Sequence, residues 1–349
     1  MEKVFSWLLK MGVPVGLSVL LVYFFYKNVD IAAIEQSLLQ DVNYWWFVPV
    51  AGVSVMSHVF RACRWRLQLK ALGVTPPLGV TTCSIFGTYF INLLVPRLGE
   101  VWRSGYIAQR ERASFTKVTG SMVGDRLSDL IAVLCLTLLT FFLAQSSFMQ
   151  FIGQRDASGA VTQSMYSTWW FWAIVALALV GTAGLVWLFR AYNATNVVVK
   201  KLHQVLHNFW DGLYAITKME GKWWFLLYTV LIWGCYYLQL YIATFAFNFT
   251  AHLDATAVLV LFVFSSIGMA VPTNGGVGAW QYAIIFGLAI YGVGTLPLSN
   301  PYNAQASAFA WLVWGMQQVF IVALGIYTFI YIAIDRHRMA SGAREGIKL

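Results

Sequence analysis

The apolar run at residues 80–95 is followed at once by Pro96-Arg97-Leu98-Gly99-Glu100, and this break constrains the fold most. Proline removes a backbone donor and glycine loosens the chain, so a helix entering the break is expected to end there. In lipid, such a break is tolerated only where the freed backbone groups face protein or a watery cavity. A second break, at 272–278, follows an equally apolar run. The chain is therefore expected to fold around two interrupted helices.

The composition agrees with a chain that lies largely in lipid. Hydrophobic residues make up 59 % of the 349 positions and charged residues only 11 %, which is too apolar for a soluble domain. Apolar segments of about 20 residues can cross a bilayer as helices. The predicted fold class is therefore an all-α polytopic membrane protein. Spanning helices are expected near 8–26, 44–60, 117–143, 169–189, 223–247 and 304–334, with shorter apolar runs at 80–95, 255–271 and 277–293.

The basic residues follow the expected membrane topology. The net charge is +9, and among 23 Lys and Arg residues only Lys27 and Arg155 fall outside if the amino terminus is cytoplasmic and both breaks are re-entrant. Basic residues accumulate on the cytoplasmic side of membrane proteins. The pattern predicts that both termini are cytoplasmic, and it explains the charge without a nucleic-acid partner.

Two markers recur at nearly the same spacing in the two halves of the chain. Trp45-Trp46-Phe47 and Trp223-Trp224-Phe225 lie 178 residues apart, and Pro96 and Pro272 lie 176 apart. Basic clusters give the two halves opposite directions across the membrane. We expect an inverted structural repeat with two re-entrant broken-helix hairpins, the plan by which many secondary transporters place a site near the bilayer middle.

This plan divides the chain into five segments. In chain order they are an N-terminal helix and external loop at 1–43, the first repeat with its break at Pro96 at 44–145, an external loop, linking helix and cytoplasmic amphipathic helix at 146–222, the second repeat with its break at Pro272 at 223–334, and a cytoplasmic basic tail at 335–349.

Three charged residues fall on a predicted spanning helix. Fifteen uncharged residues follow Asp129, about 22 Å of helix, so Asp125, Arg126 and Asp129 lie at membrane depth, where charges must be paired or hydrated. Arg126 and Asp129 are three residues apart and can pair. Asp125 then needs another partner, and we expect Arg97 or Arg103 from the first break.

These charges allow two interpretations. One is a structural ion-pair network at a helix end. The other is a site for an anionic headgroup, in which arginines and the amides of the first break bind phosphate while the carboxylates hold the arginines in place. The candidate headgroup-binding residues are Arg97, Glu100, Arg103, Asp125, Arg126 and Asp129.

The second break carries no charge. Its backbone amides and two side-chain amides could bind a phosphate or polar headgroup weakly, or its glycines could serve close helix packing. The candidate residues are Pro272, Asn274, Gly275, Gly276, Gly278 and Gln281. No metal site and no cofactor is expected.

Four ordered motifs resemble the membrane region of lysylphosphatidylglycerol synthases. They are Arg61-x-x-Arg64-Trp65, Pro96-Arg97-Leu98-Gly99-Glu100-x-x-Arg103, Asp125-Arg126-Leu127-x-Asp129 and Pro272-x-x-Gly275-Gly276-Val277-Gly278. Free-standing members of this family form a large group of flippase-like proteins. The resemblance implies an integral protein of the bacterial cytoplasmic membrane that moves a lipid, or a lipid-linked headgroup, between leaflets.

The sequence departs from the family at three points. Asp125 and Gln281 stand where the family often has Glu. The second of these, Gln281, disfavours a mechanism that needs a carboxylate in the second half. Only a short basic tail follows residue 334, so this chain is not expected to synthesise aminoacyl lipid.

The expected function is that of a lipid translocator, not an enzyme, moving an anionic, phosphate-linked or aminoacylated lipid through a polar cleft between the two breaks. The expected partners are a phospholipid or other lipid headgroup and the membrane, with a possible homo-oligomer. Two alternatives remain open: an enzyme acting on lipid or polyprenyl phosphates, and a non-transporting scaffold that recruits a partner through its amphipathic helix.

Overall fold

The computed structural model describes residues 31–95, 97–146, 219–271, 273–294 and 304–345, together with Gly16 and Tyr23. The helices predicted near 8–26 and 169–189 and the amphipathic helix at 193–220 lie almost entirely outside these residues, as do Pro96 and Pro272. The chain divides into two compact units, Met1–Ala144 with Trp223–Leu349, and Gln145–Lys222. The helices described below belong to the first unit, apart from Lys222 at the start of one of them.

The described part of the chain is helical and contains no strand. Four helical segments are long and apolar enough to cross a membrane: Tyr44–Ala71, Phe115–Leu143, Lys222–Thr244 and Ala304–His337. This agrees with the predicted all-α membrane protein. The helices are α1 (Ile31–Gln40), α2 (Phe47–Ala71), α3 (Leu78–Leu94), α4 (Leu98–Arg110), α5 (Phe115–Leu143), α6 (Lys222–Thr244), α7 (Ala255–Ala270), α8 (Ala279–Ile290) and α9 (Ala304–Glu345), with 3₁₀ turns at Tyr44–Trp46 and Asn274–Gly276.

Most helix bounds agree with the apolar runs, but α2 is longer than expected. The sequence pattern ended this helix near residue 60, where the basic cluster begins, whereas the helix continues to Ala71. The reason is that Arg61 and Arg64 are buried inside the protein and do not lie at a membrane surface. The short helix α1 lies in a segment where a loop was expected.

The first break joins α3 and α4 into an antiparallel hairpin. Gly87 of α3 lies against Trp102 of α4, and Gly99 lies against the Thr88 backbone nearer the tip. The two arms have 17 and 13 residues, about 25 and 20 Å, so neither arm alone crosses a hydrocarbon core of about 30 Å. At the tip Arg97 has a left-handed backbone with φ 63°.

The second break joins α7 and α8 in the same way. Gly268 lies against Ala279, and the arms have 16 and 12 residues. Between them the 3₁₀ turn contains Gly275 and Gly276 and is followed by Gly278, at φ values of 60°, 77° and 82°. Residues with a side chain rarely adopt this conformation, which explains the glycines at this turn.

The tips of the two hairpins meet beside α9. Trp314 Nε1 donates to the Gly275 carbonyl at 2.9 Å, and a Cβ on Gly275 would lie 3.6 Å from Leu93 at the tip of the first hairpin. Further along α9, Gly325 lies against Phe90 of α3. The second hairpin therefore packs on the first part of α9 and the first hairpin on a later part, end to end.

Side chains also bond the base of the first hairpin to α9. Arg110 Nε donates to Asp335 Oδ2 at 2.8 Å, and this hydrogen bond is the main reason that the pKa of Arg110 is raised. Thr328 Oγ1 donates to the Cys83 carbonyl at 3.1 Å. Two apolar cores follow this division, one around α7, α8 and the start of α9, the other around α3, α4 and the second half of α2.

Gly99 offers a test of the first hairpin. A Cβ at this position would lie 2.1 Å from the Thr88 carbonyl oxygen, a backbone atom that cannot move aside. Gly99→Ala is expected to lower stability by about 1–3 kcal/mol, measured by unfolding in detergent. Gly105→Ala in the same helix is the matched control, because its Cβ would meet nothing closer than 3.9 Å. Equal stability of the two variants would contradict the hairpin contact.

Candidate functional site

Two arginines of α2 meet two aspartates of α5 inside the protein. Arg61 and Arg64 are three residues apart and share a face of α2, and Asp125 and Asp129 share a face of α5 in the same way. Arg61 Nη1 lies 2.6 Å from Asp129 Oδ2. Arg64 Nη2 lies 2.6 Å from Asp125 Oδ1 and 2.7 Å from Asp129 Oδ1. Burial of these charges is costly, so their mutual pairing is what makes the arrangement tenable.

A third arginine connects this network to the first hairpin. Arg126 Nη2 lies 2.9 Å from Glu100 Oε1 on α4, and Arg126 Nη1 lies 3.8 Å from Asp129 Oδ2. The other oxygen of Glu100 accepts a hydrogen bond from Asn92 Nδ2 at 3.0 Å. Asn92 Oδ1 also accepts from the Gly99 backbone N–H at 2.7 Å. The Asn92 side chain therefore provides an acceptor for a backbone N–H at the start of α4 and orients the Glu100 carboxylate.

The fourth arginine, Arg103, is buried and forms no ion pair with a carboxylate of the described residues. Its guanidinium carbon lies 4.2 Å from the centroid of the Trp65 ring, a cation–π geometry. Arg103 Nε and Nη2 have no hydrogen-bond partner among the described residues. The cluster formed by Arg61, Arg64, Arg103 and Arg126 with Glu100, Asp125 and Asp129 thus holds four cations and three anions. It carries one excess positive charge.

Aromatic and imidazole side chains complete one side of this cluster. Tyr236 OH of α6 accepts from Arg61 Nε at 3.4 Å and lies 3.3 Å from Tyr89 OH of α3. The His58 ring lies 4.6 Å from the Tyr89 ring between centroids. These groups provide hydroxyl and imidazole donors and acceptors beside the arginines.

A cavity of about 380 Å³ opens beside the cluster. Its charged wall contains Arg61, Arg126 and Asp129, and its remaining walls are mainly apolar and neutral polar side chains. The volume is that of a small-molecule site. The lining residues come from α2, α3 and α5–α9: Val50, Ser54, His58, Arg61, Tyr89, Arg126, Asp129, Val133, Trp233, Tyr236, Gln239, Leu240, Phe262, Ser265, Ser266, Met269, Trp280, Val313, Met316, Gln317, Phe320 and Ile321.

The structure separates the predicted residues of the first half. Five of the six, Glu100, Arg103, Asp125, Arg126 and Asp129, come together and Arg97 does not, and the expected pairing of Arg126 with Asp129 is present at 3.8 Å. The expectation that Arg97 or Arg103 pairs with Asp125 was wrong. Arg61 and Arg64 take that place, because continuation of α2 brings them onto the α5 face. The Arg97 side chain is exposed at the hairpin tip.

Among the described residues of the second break, Gly275, Gly276, Gly278 and Gln281 lie outside the cavity lining. Gln281 Oε1 accepts a hydrogen bond from the Gly278 backbone N–H at 2.7 Å, so the backbone N–H and the side-chain carbonyl are each other's partners. Met269 and Trp280, on either side of the break, line the cavity. Gly276 packs tightly, since a Cβ there would lie 2.2 Å from Met269 Sδ. These contacts favour the packing interpretation for these glycines.

Arg61 and Arg64 were not among the predicted site residues. Their position in a basic cluster beyond an apolar run made them a topology signal. The usable signal was the spacing: basic residues three apart on one helix and acidic residues four apart on another can form a face-to-face network. His58, Tyr89 and Tyr236 gave no comparable signal. Within the described ranges, no group of three or more His, Cys, Asp or Glu is placed to hold a metal.

A family model for the "Lysylphosphatidylglycerol synthase TM region" matches residues 11–325. The chain belongs to this family. The resemblance predicted from the four motifs is therefore confirmed, and the match covers the cluster, both hairpins and about half of α9. The match is to the membrane region of these synthases, a domain associated with lipid handling.

The chain is 26 % identical over 199 residues to the "UPF0104 membrane protein MJ1078" of Methanocaldococcus jannaschii. The alignment covers 56 % of this chain and 78 % of that protein. No solved structure matches this chain.

Proposed function

We propose that this protein moves lipids with an anionic or phosphate-linked headgroup between the two leaflets. The single observation that carries the proposal is the excess positive charge on a cavity inside a bundle of membrane helices. A guanidinium in a site of low dielectric binds phosphate oxygens strongly through charge-assisted hydrogen bonds. Membership of the lysylphosphatidylglycerol synthase membrane family supports a lipid as the source of that phosphate.

The arginine, aspartate and tyrosine side chains of the cavity have different roles in the proposed binding of the headgroup. Arg61 and Arg126 line the cavity and offer N–H groups to phosphate oxygens, while Asp129 holds both guanidinium groups toward the same space. Tyr89 and Tyr236 add hydroxyl groups beside them. The acyl chains would stay in the surrounding lipid, so only the polar headgroup has to leave water.

The fold supports access to such a site from both sides. We propose that segments 44–145 and 223–334 form an inverted repeat whose two hairpins are re-entrant. The support is geometric: each arm is too short to span, the tips meet near Gly275 and Leu93, and the hairpins occupy successive parts of α9. Opposed half-helices of this kind let a fixed site open alternately to either side.

Reconstitution tests the transport proposal. Purified protein is placed in liposomes that contain acyl-labelled phosphatidylglycerol, and dithionite added outside quenches the label that it can reach. Inner-leaflet lipid should become accessible to dithionite faster than in protein-free liposomes. The matched control is a membrane protein of similar size without transport activity. If no lipid of an anionic, zwitterionic and aminoacylated panel moves faster than in that control, the proposal fails.

Thiol labelling tests the opposed hairpins and the orientation. We propose a location in the bacterial cytoplasmic membrane with both termini in the cytoplasm, and the placement of the basic residues supports that orientation. Leu72→Cys at the base of the first hairpin and His252→Cys before the second are both exposed positions. In a background without the four native cysteines, an impermeant maleimide applied to whole cells should label position 252 and not position 72. Labelling of both positions from one side would contradict the inverted arrangement.

A further inference from the structure

The cavity has a second, uncharged polar end. Arg61 and Ser54 both line the cavity from α2. Ser54 lies two turns before Arg61, about 10 Å along the helix, and marks the uncharged end. On α6, which runs antiparallel to α2, Tyr236 contacts Arg61 and Gln239 follows toward the Ser54 side. The neutral end is therefore separated from the cationic end by roughly the length of a small headgroup.

The neutral end contains a buried hydrogen-bond donor without a partner. Gln239 Nε2 makes no hydrogen bond within the described part of the chain, and Trp233 Nε1, on the Arg61 side of Tyr236, makes none there either. Elsewhere on the lining, the hydroxyls of Ser265 and Ser266 both donate to the Phe262 carbonyl at 2.8 Å, which leaves their oxygens able to accept. A buried N–H without an acceptor is costly, so this end is suited to a ligand that supplies hydroxyl or ether oxygens.

The lining offers no counter-charge to a cationic ligand. Among the described lining residues the carboxylate is Asp129, and its two oxygens are already bound to Arg61 and Arg64 at 2.6 and 2.7 Å. An ammonium group placed here would lose its hydration and would face a cluster with excess positive charge. Both effects oppose its binding.

We propose that the headgroup is a phosphodiester carrying a neutral polyol extension, such as glycerol or a sugar, and that lipids ending in an ammonium group are excluded. The phosphodiester lies at Arg61 and Arg126, and the polyol hydroxyls extend toward Gln239. This inference rests on the proposed function and narrows its substrate class. It separates this chain from transport of an aminoacylated lipid.

A lipid panel in the liposome assay tests the assignment. Four lipids with the same labelled acyl chain are compared: phosphatidylglycerol, phosphatidic acid, phosphatidylethanolamine and lysylphosphatidylglycerol. Phosphatidylglycerol should move about tenfold or more faster than either amine-bearing lipid, with phosphatidic acid slower because it lacks the extension. An amine-bearing lipid moving as fast as phosphatidylglycerol overturns this inference and leaves translocation standing. Movement of no lipid overturns the proposed function itself.

A soluble competitor identifies the source of the headgroup. Glycerophosphoglycerol has the same phosphodiester and polyol without acyl chains. It should reduce phosphatidylglycerol movement only at concentrations far above those of the lipid if the acyl chains contribute to binding. Uptake of radiolabelled glycerophosphoglycerol into the liposomes would show a soluble substrate and overturn the lipid assignment.

Variants of Gln239 test the neutral end. Gln239→Glu keeps the side-chain shape and adds a counter-charge, so it should raise the rate of lysylphosphatidylglycerol relative to phosphatidylglycerol about tenfold. Gln239→Leu should reduce the preference for phosphatidylglycerol over phosphatidic acid. Gln36→Leu, on the exposed face of α1, is the matched control and should change neither ratio. Unchanged ratios in a folded Gln239→Glu protein would overturn the role of this end.

Discussion

Asp125→Asn is expected to destabilise the protein by about 3–5 kcal/mol, because it removes one carboxylate from a buried ion-pair network and leaves two buried arginines to share Asp129. Asp125 is fully buried and accepts from Arg64 Nε at 2.9 Å and from Arg64 Nη2 at 2.6 Å. Arg64 is itself fully buried, so water cannot replace the lost carboxylate. Unfolding by denaturant or heat in a mild detergent measures the loss.

Two comparisons make the Asp125 result specific. Glu35→Gln removes an exposed carboxylate on α1 and should change stability by less than about 1 kcal/mol. The double variant Arg64→Gln with Asp125→Asn should recover a large part of the loss, because neither buried charge then remains. If Asp125→Asn is as stable as the unchanged protein, the buried network does not support the fold.

Arg126→Gln is expected to slow phosphatidylglycerol translocation by about 10–100-fold, the loss of one charge-assisted hydrogen bond of about 1.5–3 kcal/mol. Arg126 lines the cavity, and its side chain is 36 % exposed, the most accessible of the paired arginines in the cluster. Without it the cluster has three cations and three anions, so its attraction for phosphate falls. Initial rates in the dithionite assay measure the change.

The neighbouring carboxylate provides the reciprocal experiment. Glu100→Gln frees Arg126 and raises the excess charge to two, so it should strengthen binding of anionic lipid and lower the concentration needed for half-maximal rate. Arg112→Gln, at an exposed position between α4 and α5, is the matched control for a lost arginine. An unchanged rate in a folded Arg126→Gln protein would show that this arginine takes no part in headgroup binding.

The helices could be predicted closely from the sequence because lipid imposes a simple rule. Apolar runs of sufficient length become helices, and Pro and Gly end them, so the bounds of α3, α5 and α7 fall within a few residues of expectation. The helix α1 could not be found in this way. It has ten residues and lies beside a polar segment, and its partners are distant in the sequence.

The site could be predicted only in part because its residues meet through tertiary packing. The acidic side was visible, since Asp125 and Asp129 stand on a helix that must lie in lipid. The basic side was ambiguous, since an arginine after an apolar run fits a membrane surface as well as a buried pair. Whether Arg61 and Arg64 lie at a membrane surface or in a buried pair depends on whether α2 continues past residue 60. Their ion pairs with Asp125 and Asp129 on α5 stabilise that continuation.

The Asn92 side chain gives the first hairpin a further property. It bonds to the Gly99 amide and to Glu100, and Glu100 in turn holds Arg126. Any movement that draws α4 away from α3 must therefore disturb the grip of that carboxylate on Arg126. Because Asn92 links the two arms of the hairpin to Glu100, opening of the hairpin would also free the Arg126 guanidinium from Glu100. One conformational step would then change both the access of a headgroup to the site and the affinity of the site for it.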